Sequence, residues 1–464
     1  MKSLGPISAS PEQLPIVSSN ALGAEIIRGA AGSGKTTTAI LRLKSLRAMM
    51  SRRRERQGAD GALRVLVLTY NSTLKGYVDS LVRGQLEDTD DIEVMTFAMW
   101  AKTHTGVRAI DGEDTQSSLQ RLARTFQGLD AAYVEDEARY VLGRFLPENL
   151  EDYLDAERTG RGRKPRVDRA MRQRLLDEVI RPYVEQLKES EWVDWNGLAL
   201  AMIDLPSLDY DLIVVDESQD FSANQIRAVV HHLAEDHCAT FVTDTMQRIY
   251  AGGYTWSEVG VDVQPKRSHR LRQNYRNTRQ IAAFASGLLE GLPTDDDGSL
   301  PDLEAATTTG TMPQVIVGKY SQQVSWALKY IADHVDLSTE TVAFLHRKGG
   351  GWFSALRHGL GFAGLDFVEL TRNGEWPESD VNIGLSTFHS AKGLEFDHVI
   401  VLGLSEEITP FVEEEKSDRV RLERRLLAVA VARARKHVVI GYKAGEETRL
   451  VDYFKSGTYE TVEL

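Results

Sequence analysis

Two short stretches carry residue types that can do chemistry together. The first is Gly29-Ala30-Ala31-Gly32-Ser33-Gly34-Lys35-Thr36, a glycine, four residues, then Gly-Lys-Thr. Its glycines let backbone N–H groups turn toward phosphate oxygens, and a helix starting there adds its positive end. Lys35 would reach the outer phosphates, the Thr36 hydroxyl would bind Mg2+, and Thr37 extends the loop. The second stretch, "IVVDESQDF" (213–221), runs from apolar residues into Asp216, Glu217, Gln219 and Asp220. Asp216 at a strand tip would complete the magnesium site, and Glu217 would position and deprotonate a water. A lone glycine-rich turn or a lone Asp-Glu pair would be ordinary. Together they predict a nucleoside triphosphate site, but they leave Gln219 and Asp220 unexplained.

Both stretches need a strand behind them. Strand-like apolar runs recur at 24–29, 64–69, 211–216, 240–244, 314–318, 341–345, 397–404 and 437–442. Such runs, separated by helical segments, predict parallel sheets with helices on both faces, an α/β fold. After Gly34, Ile40, Leu43, Leu46 and Met49 recur at helical spacing and predict the helix that follows the phosphate loop. Residues 103–205 have helical periodicity and few strand-like runs, which predicts a helical insertion in the first sheet domain. The turn-rich, acidic "GLPTDDDGSLPD" (291–302) reads as a surface loop.

The chain has 464 residues, enough for two core domains, with 42 % hydrophobic and 27 % charged residues, as in a globular protein. No apolar run approaches a membrane span, and "MKSLGPISAS" lacks the apolar stretch of a signal peptide, so a cytoplasmic protein is expected. The single cysteine, Cys238, excludes an intrachain disulfide and cysteine-rich metal sites. A net charge of −13 argues against binding nucleic acid by bulk attraction, though a local basic track is still compatible with it. Two clusters qualify, "SRRRERQ" (51–57) and 157–174, where eight Arg and Lys face only Glu157 and Asp168. Read alone, each is more often a solvated face or loop than a binding track.

At this point the chain resembles a family. "DESQD" is similar to the Asp-Glu-x-Gln-Asp motif of the superfamily 1 helicases of the UvrD/Rep type, and the other motifs follow in family order. Gln13 in "SPEQLPIV" resembles the glutamine that reads adenine. "VLVLTYNSTLKGYV" (65–78) and "VMTFAMW" (94–100) resemble segments that touch single-stranded DNA. "TDTMQRIY" (243–250) resembles the sensor motif, with Asp244 and Gln247 in place. "LRQNYRNT" (271–278) supplies Asn274, Tyr275 and Arg276. "LSTFHSAKGLEFDHVIVLGL" (385–404) is nearly the full family string and brings Gly393 and Glu395 to the nucleotide. "ERRLLAVAVARARKHVVI" (423–440) resembles the last motif, with Arg433 at its arginine. Two departures are Ala432 before Arg433 and Ala428 where the family usually has tyrosine. The resemblance covers most of the chain except about 103–205 and 280–380.

The resemblance implies two RecA-like domains, 1–267 and 268–464, with ATP and Mg2+ between them. It implies that Lys35, Glu217, Gln247, Arg276 and Arg433 carry the chemistry, the two arginines reaching the γ-phosphate from the second domain. Arginine suits that task because it stays charged and offers a fork of donors. Read alone, Arg433, beside Arg435 and Lys436, would be a surface ion pair. Gln219 and Gln247 would relay the nucleotide state to a DNA strand, which gives the extra residues of the acidic motif a purpose. The DNA side would use groups that grip without reading sequence: Thr69, Tyr70, Asn71, Thr96, Phe97, Trp100, Tyr250, Tyr254, Trp256, Thr387 and His389. Any one of these aromatics is as apt to be core as platform. Arg163, Lys164 and Arg166 would line the DNA path in the insertion.

The expected activity is ATP-driven 3′→5′ movement on single-stranded DNA, with unwinding at DNA junctions. The rival from another class is a DNA-sensing ATPase switch that licenses a separate nuclease, as in anti-phage defence. A nuclease or other protein partner is therefore an open expectation, and no membrane is expected. About 110 residues separate Arg276 from Thr387. That is enough to complete a second sheet domain, with little room for the accessory subdomain common in the family.

Overall fold

The computed structural model describes residues 8–29, 32–58, 62–107, 112–156, 167–190, 192–243, 254–292, 306–371, 376–377, 380–407 and 418–464. Ala30, Ala31, Asp244, Gln247, Tyr250, Arg163, Lys164 and Arg166 lie outside the described residues, as does most of the acidic 291–302 stretch.

The first sheet contains β1 (Gly23–Gly29), β2 (Val65–Thr69), β3 (Ile92–Thr96), β4 (Tyr210–Val215), β5 (Leu233–Thr243) and β6 (Ser268–Leu271). Its strands are all parallel, in the order β3-β2-β4-β5-β1-β6. A two-stranded ribbon of β7 (Asn274–Thr278) and β8 (Ala306–Thr308) follows. The second sheet contains β9 (Gln314–Val317), β10 (Val342–His346), β11 (Val368–Glu369), β12 (Ile383–Thr387), β13 (Phe396–Val401), β14 (Ala434–Tyr442) and β15 (Glu460–Glu463). These are parallel too, in the order β11-β12-β10-β13-β14-β9-β15. Strands β2, β4, β10 and β13 are buried along their whole length, because helices cover both faces of a parallel sheet. All eight runs anticipated as strands form strands. Two RecA-like α/β domains result.

The sheets divide the chain slightly later than expected. Ser268–Leu271 pairs with β1, Ile26 opposite Ser268 and Gly29 opposite Leu271, so the first sheet ends after Leu271 and not at 267. "SHRL" has no apolar run to announce it; backbone pairing alone makes it an edge strand. The helix after the phosphate loop is Lys35–Gln57, with Ile40, Leu43 and Leu46 buried. Met50, not Met49, completes its buried stripe. A helical pitch of 3.6 carries the stripe past a simple three-residue spacing.

The described residues of the insertion form helices between Phe97 and Ile203. Asp130, Asp168 and Asp194 cap three of them through their side chains, each satisfying N–H groups that the first helical turn leaves open. It has its own apolar core, with Val134, Val141, Tyr153, Leu175 and Ile180 almost fully buried. It docks on the helix Ala223–His231, which follows the acidic motif. There Asn224 Nδ2 donates to the carbonyls of Leu142 at 3.0 Å and Phe145 at 3.1 Å, and Arg144 pairs with Glu258 at 2.7 Å. Part of the basic 157–174 cluster is consumed locally. Arg169 pairs with Asp155, Arg174 with Glu178 at 2.8 Å, and Arg172 donates to the carbonyls of Tyr153 and Ala156.

One apolar cluster runs through both domains, joining Leu74 and Tyr77 of the first to Leu370, Trp376 and Leu394 of the second. Tyr77 meets Trp376 edge-on at 5.2 Å, and the Thr73 hydroxyl donates to Leu370 O at 2.7 Å. Among the described residues no helix is long and apolar enough to cross a membrane.

Candidate functional site

In the first domain the phosphate loop and the acidic motif leave the carboxyl ends of parallel strands, where helix N-termini and strand tips face a common crevice. The phosphate loop follows β1, and Asp216 follows β4. Gly32 and Gly34 take φ of +84° and +75°, a left-handed backbone that other residues reach only with strain. A Cβ on Gly34 would lie 2.6 Å from Gln13 Nε2, and one on Gly32 would run into Asn274 Oδ1 and sit 2.8 Å from Arg276 Cβ. The loop is therefore wrapped by Gln13 on one side and by the second domain on the other. Gln13 is held by Ser10 N–H at 2.9 Å and reaches Ser33 O at 3.5 Å. Tyr275 N–H donates to Gly32 O at 3.0 Å across the cleft.

The Thr36 hydroxyl stands 3.0 Å from both carboxylate oxygens of Asp216. A hydroxyl beside a carboxylate is the oxygen donor set that Mg2+ takes, so these residues fit that ion. Lys35, almost buried, donates to Gly29 O at 2.7 Å and Thr38 to Gly34 O at 2.7 Å, which shapes the loop from within. Burial and the neighbouring Glu217 charge push the Asp216 carboxyl up to about 7. Burial also works to raise Glu217, but Lys392, Lys35 and Arg433 outweigh it and hold that carboxyl below its ordinary value. Glu217 itself has φ 53° and ψ 41°, a left-handed conformation for a residue with a Cβ. Such strain persists only where the surroundings enforce it, and here the Lys392 ammonium lies 3.8 Å from the carboxylate. Gln219 Nε2 donates to Glu217 Oε2, so the motif's glutamine fixes its acid.

The second domain brings a cationic wall. Arg276, half-buried, pairs with Glu395, which also receives Arg435 at 3.1 Å. Burial would raise the Glu395 carboxyl, yet Arg276 and Arg435 hold it down at about 2. Arg433 is 1 % exposed, its Nε donating to Val429 O at 3.1 Å and its Nη1 to Leu394 O at 3.4 Å. A cavity of about 1340 Å³ runs along this cleft, lined by Gln13, Gly32, Gly34, Tyr275, Arg276 and Glu395 among others. That is above the usual range for a single small-molecule pocket. Of the expected nucleotide residues, Gly393 is used differently. Its φ is +82°, and a Cβ there would collide with the Leu74 side chain, so it lets the two domains close on each other.

Among the residues expected to grip DNA, Tyr70 is exposed just after β2, and Thr387, the last residue of β12, and His389 beyond it are half-buried. Thr96 lies opposite Thr69 at matching ends of β3 and β2. Asn71 and Thr96 spend their side-chain oxygens on helix caps, accepting from Leu74 N–H at 2.8 Å and Met99 N–H at 3.2 Å. Phe97 and Trp100 are corrected. Both are core residues, 4 % and 0 % exposed, and the Trp100 indole N–H donates to Tyr210 OH at 3.2 Å. The helix Phe97–Thr105 turns them beneath the sheet, so no base can stack on either. Tyr254 and Trp256 are half-buried against the same core, with Tyr254 OH donating to Ser218 O at 3.3 Å. Replacing Trp100 by Ala should therefore cost about 3–5 kcal/mol of stability, read by denaturant unfolding. DNA affinity of the folded protein should stay unchanged.

Sequence reasoning passed over three features. Lys392 stands inside the 385–404 string with no role assigned, although it is 2 % exposed and reaches across to the acidic motif. Arg435 proves to be the second partner of Glu395. Trp352 stacks on His346 at 5.7 Å, with Lys348 5.2 Å over its ring, near Thr387 at the end of the neighbouring strand. Only the first had a sequence signal, a lysine inside an otherwise small and apolar string.

Two family models match the chain: an AAA domain over residues 16–253, slightly more than half of it, and a UvrD-like helicase C-terminal domain over 365–445. A protein named probable DNA helicase from Mycoplasma pneumoniae is 28 % identical over 243 residues, which cover 49 % of this chain and 42 % of that protein. The ATP-dependent DNA helicase UvrD2 of Mycobacterium tuberculosis is 28 % identical over 198 residues, 40 % of this chain and 26 % of the relative. The ATP-dependent DNA helicase Rep of Buchnera aphidicola is 42 % identical over 60 residues, 13 % of this chain and 9 % of the relative. The matched part thus spans less than half the length of each of these relatives. With both family models matched in order and a cleft assembled from both domains, the chain belongs to the superfamily 1 helicases of the UvrD/Rep type.

Proposed function

We propose that the chain hydrolyses ATP in the cleft between its two domains and uses the cycle to move 3′→5′ along single-stranded DNA. The observation that carries this reading is the split site. Lys35, Thr36, Asp216 and Glu217 come from one domain, and Arg276 and Arg433 from the other: the charges of Lys35 and Arg433 both bear on Glu217, and Arg276 lines the cleft cavity with Gln13, Gly32 and Gly34 of the first domain. A site divided in this way makes nucleotide turnover depend on domain closure. Thr36 and Asp216 would hold Mg2+, which would neutralise charge on the β- and γ-phosphates. Glu217 takes the proton of the attacking water, and the arginines meet the charge that grows on the transferred phosphoryl group. The polarity and the DNA substrate rest on the family and on the printed names of the relatives. Tyr70, Thr387 and His389 remain the proposed strand contacts, with Arg163, Lys164 and Arg166 as an outlying basic track.

The test is ATP turnover with single-stranded DNA, RNA or neither, followed by translocation on tracks of increasing length. Turnover stimulated by DNA, with arrival times that grow with track length, supports the motor. Stimulation with no length dependence supports the switch instead.

Unwinding by the protein alone should be poor. Between Arg276 and Thr387 the described elements belong to the β7–β8 ribbon and to the second sheet with its covering helices. Opening a duplex works against stacking of about 1.4 kcal/mol per base-pair step, and among the described residues of this interval no element stands apart from the ribbon and the sheet layer to hold a duplex. Single-turnover unwinding of a long 3′-tailed duplex, with enzyme at or below the substrate concentration, should yield little product. Complete, processive strand separation would sink the idea.

A further inference from the structure

Asp220, the last acid of the acidic motif, is buried at the interface with the second domain. Its partner is the Lys392 ammonium, which crosses from the second domain to bond Asp220 Oδ2. The same ammonium lies 3.8 Å from Glu217 Oε2. All three groups are nearly buried, at 2 %, 8 % and 7 % exposure for Lys392, Asp220 and Glu217. The bridge is flanked by the other interdomain contacts, Gly393 packed on Leu74 and the Thr73 hydroxyl on Leu370 O. We infer that Lys392 is a positioning residue for Glu217: anchored on Asp220, it completes the charge environment of the general base only when the two domains are closed.

The physical reason is the cost of the arrangement. Burying a lysine and two carboxylates requires removing all three from water, and a buried ion pair contributes little net stability over apolar packing. A cluster of this kind is better suited to specify one relative placement of two surfaces than to hold them together. Here the two surfaces are the domains. When they part, Asp220 and Lys392 regain water and Glu217 loses a second-domain cation held 3.8 Å from its carboxylate. That approach of Lys392 to Glu217 exists only while the second domain is seated on the first. Hydrolysis therefore waits for closure even with ATP bound by the first domain alone. Gln219 fixes one oxygen of Glu217 from within the motif, and Lys392 marks the arrival of the other domain.

This inference rests on the hydrolytic reading above, so its test has two readouts. In the full chain with ATP and a single-stranded oligonucleotide, Lys392→Met should lower kcat by about 100-fold and shift KM for ATP by less than about threefold. Lys392→Arg, which keeps the charge, should recover at least about a tenth of wild-type kcat. Asp220→Asn combined with Lys392→Met should be no worse than Lys392→Met alone, because the two residues act as one unit. A Lys392→Met enzyme within about threefold of wild-type kcat, or Lys392→Arg as inactive as Lys392→Met, overturns the proposal. The second readout is energy transfer between dyes on Gln57→Cys and Lys329→Cys, both exposed and in different domains, with the native Cys238 buried. With a non-hydrolysable ATP analogue, Lys392→Met should lose the closed-state transfer that the wild type shows; equal transfer overturns the bridge. Should the wild type hydrolyse no ATP, the functional reading fails while the transfer measurement still decides the bridge.

Discussion

Replacing Glu217 by Gln is expected to stop ATP hydrolysis while leaving ATP and DNA binding in place. The amide fills the same space, and Gln219 and Lys392 can still approach it, but it cannot take a proton from water. General-base catalysis contributes about 10²–10⁴-fold, so turnover should fall by at least the lower figure. The structure strengthens the expectation through the charge placement: Lys35, Lys392 and Arg433 together keep this carboxyl ionised despite its burial. The backbone at Glu217 is left-handed, and glutamine is no better suited to it than glutamate, so the exchange isolates chemistry from strain. Single-turnover hydrolysis with equilibrium binding of a fluorescent ATP analogue checks both halves. Wild-type turnover in Glu217→Gln would remove the base assignment.

Arg433→Ala should slow turnover about 10³-fold or more while ATP affinity changes far less, as for an arginine that meets transition-state charge. Arg433 is buried, with its Nε and Nη1 on backbone carbonyls, and its charge is felt at Glu217. Arg276→Ala should also slow turnover, with one difference. Glu395 loses its Arg276 partner but keeps Arg435, so the wall survives and the loss should be the smaller of the two. Arg433→Lys should restore little, because an ammonium cannot reproduce the planar fork. Comparing kcat with the dissociation constant for ATP separates the roles. Equal losses in both would count against a transition-state role for either arginine.

Much of this site could be read from the chain alone because its chemistry is local. The phosphate loop needs glycines at positive φ beside a helix start, and the strand tip needs an acid, so both signals sit within a few consecutive residues. The buried strands were legible for the same reason: a parallel strand covered on both faces must be apolar along its length. The family order of the motifs then placed Arg276 and Arg433 in the second domain before any geometry was available. The short strands β3, β6, β11 and β15 were not legible, since backbone pairing with a neighbour, not side-chain pattern, makes them strands.

Tertiary structure decided what depends on partners distant in sequence. Trp100 and Tyr70 both lie in segments that resemble DNA contacts, yet one is core and the other exposed, because Trp100 packs among Leu198, Met202, Tyr210 and Ile226 from elements distant in sequence. Arg42 sits fully buried in the helix after the phosphate loop because Glu25 meets it at 3.2 Å from β1. No spacing rule foretells that a charge will be buried when its partner lies on another element. Asp220 is the plainest case. The sequence supplied the acid, but its purpose depends on Lys392, 172 residues away, arriving with the second domain. Local backbone and side-chain rules are written in adjacent residues, whereas the balance of buried charges is set only when two surfaces close and exclude water.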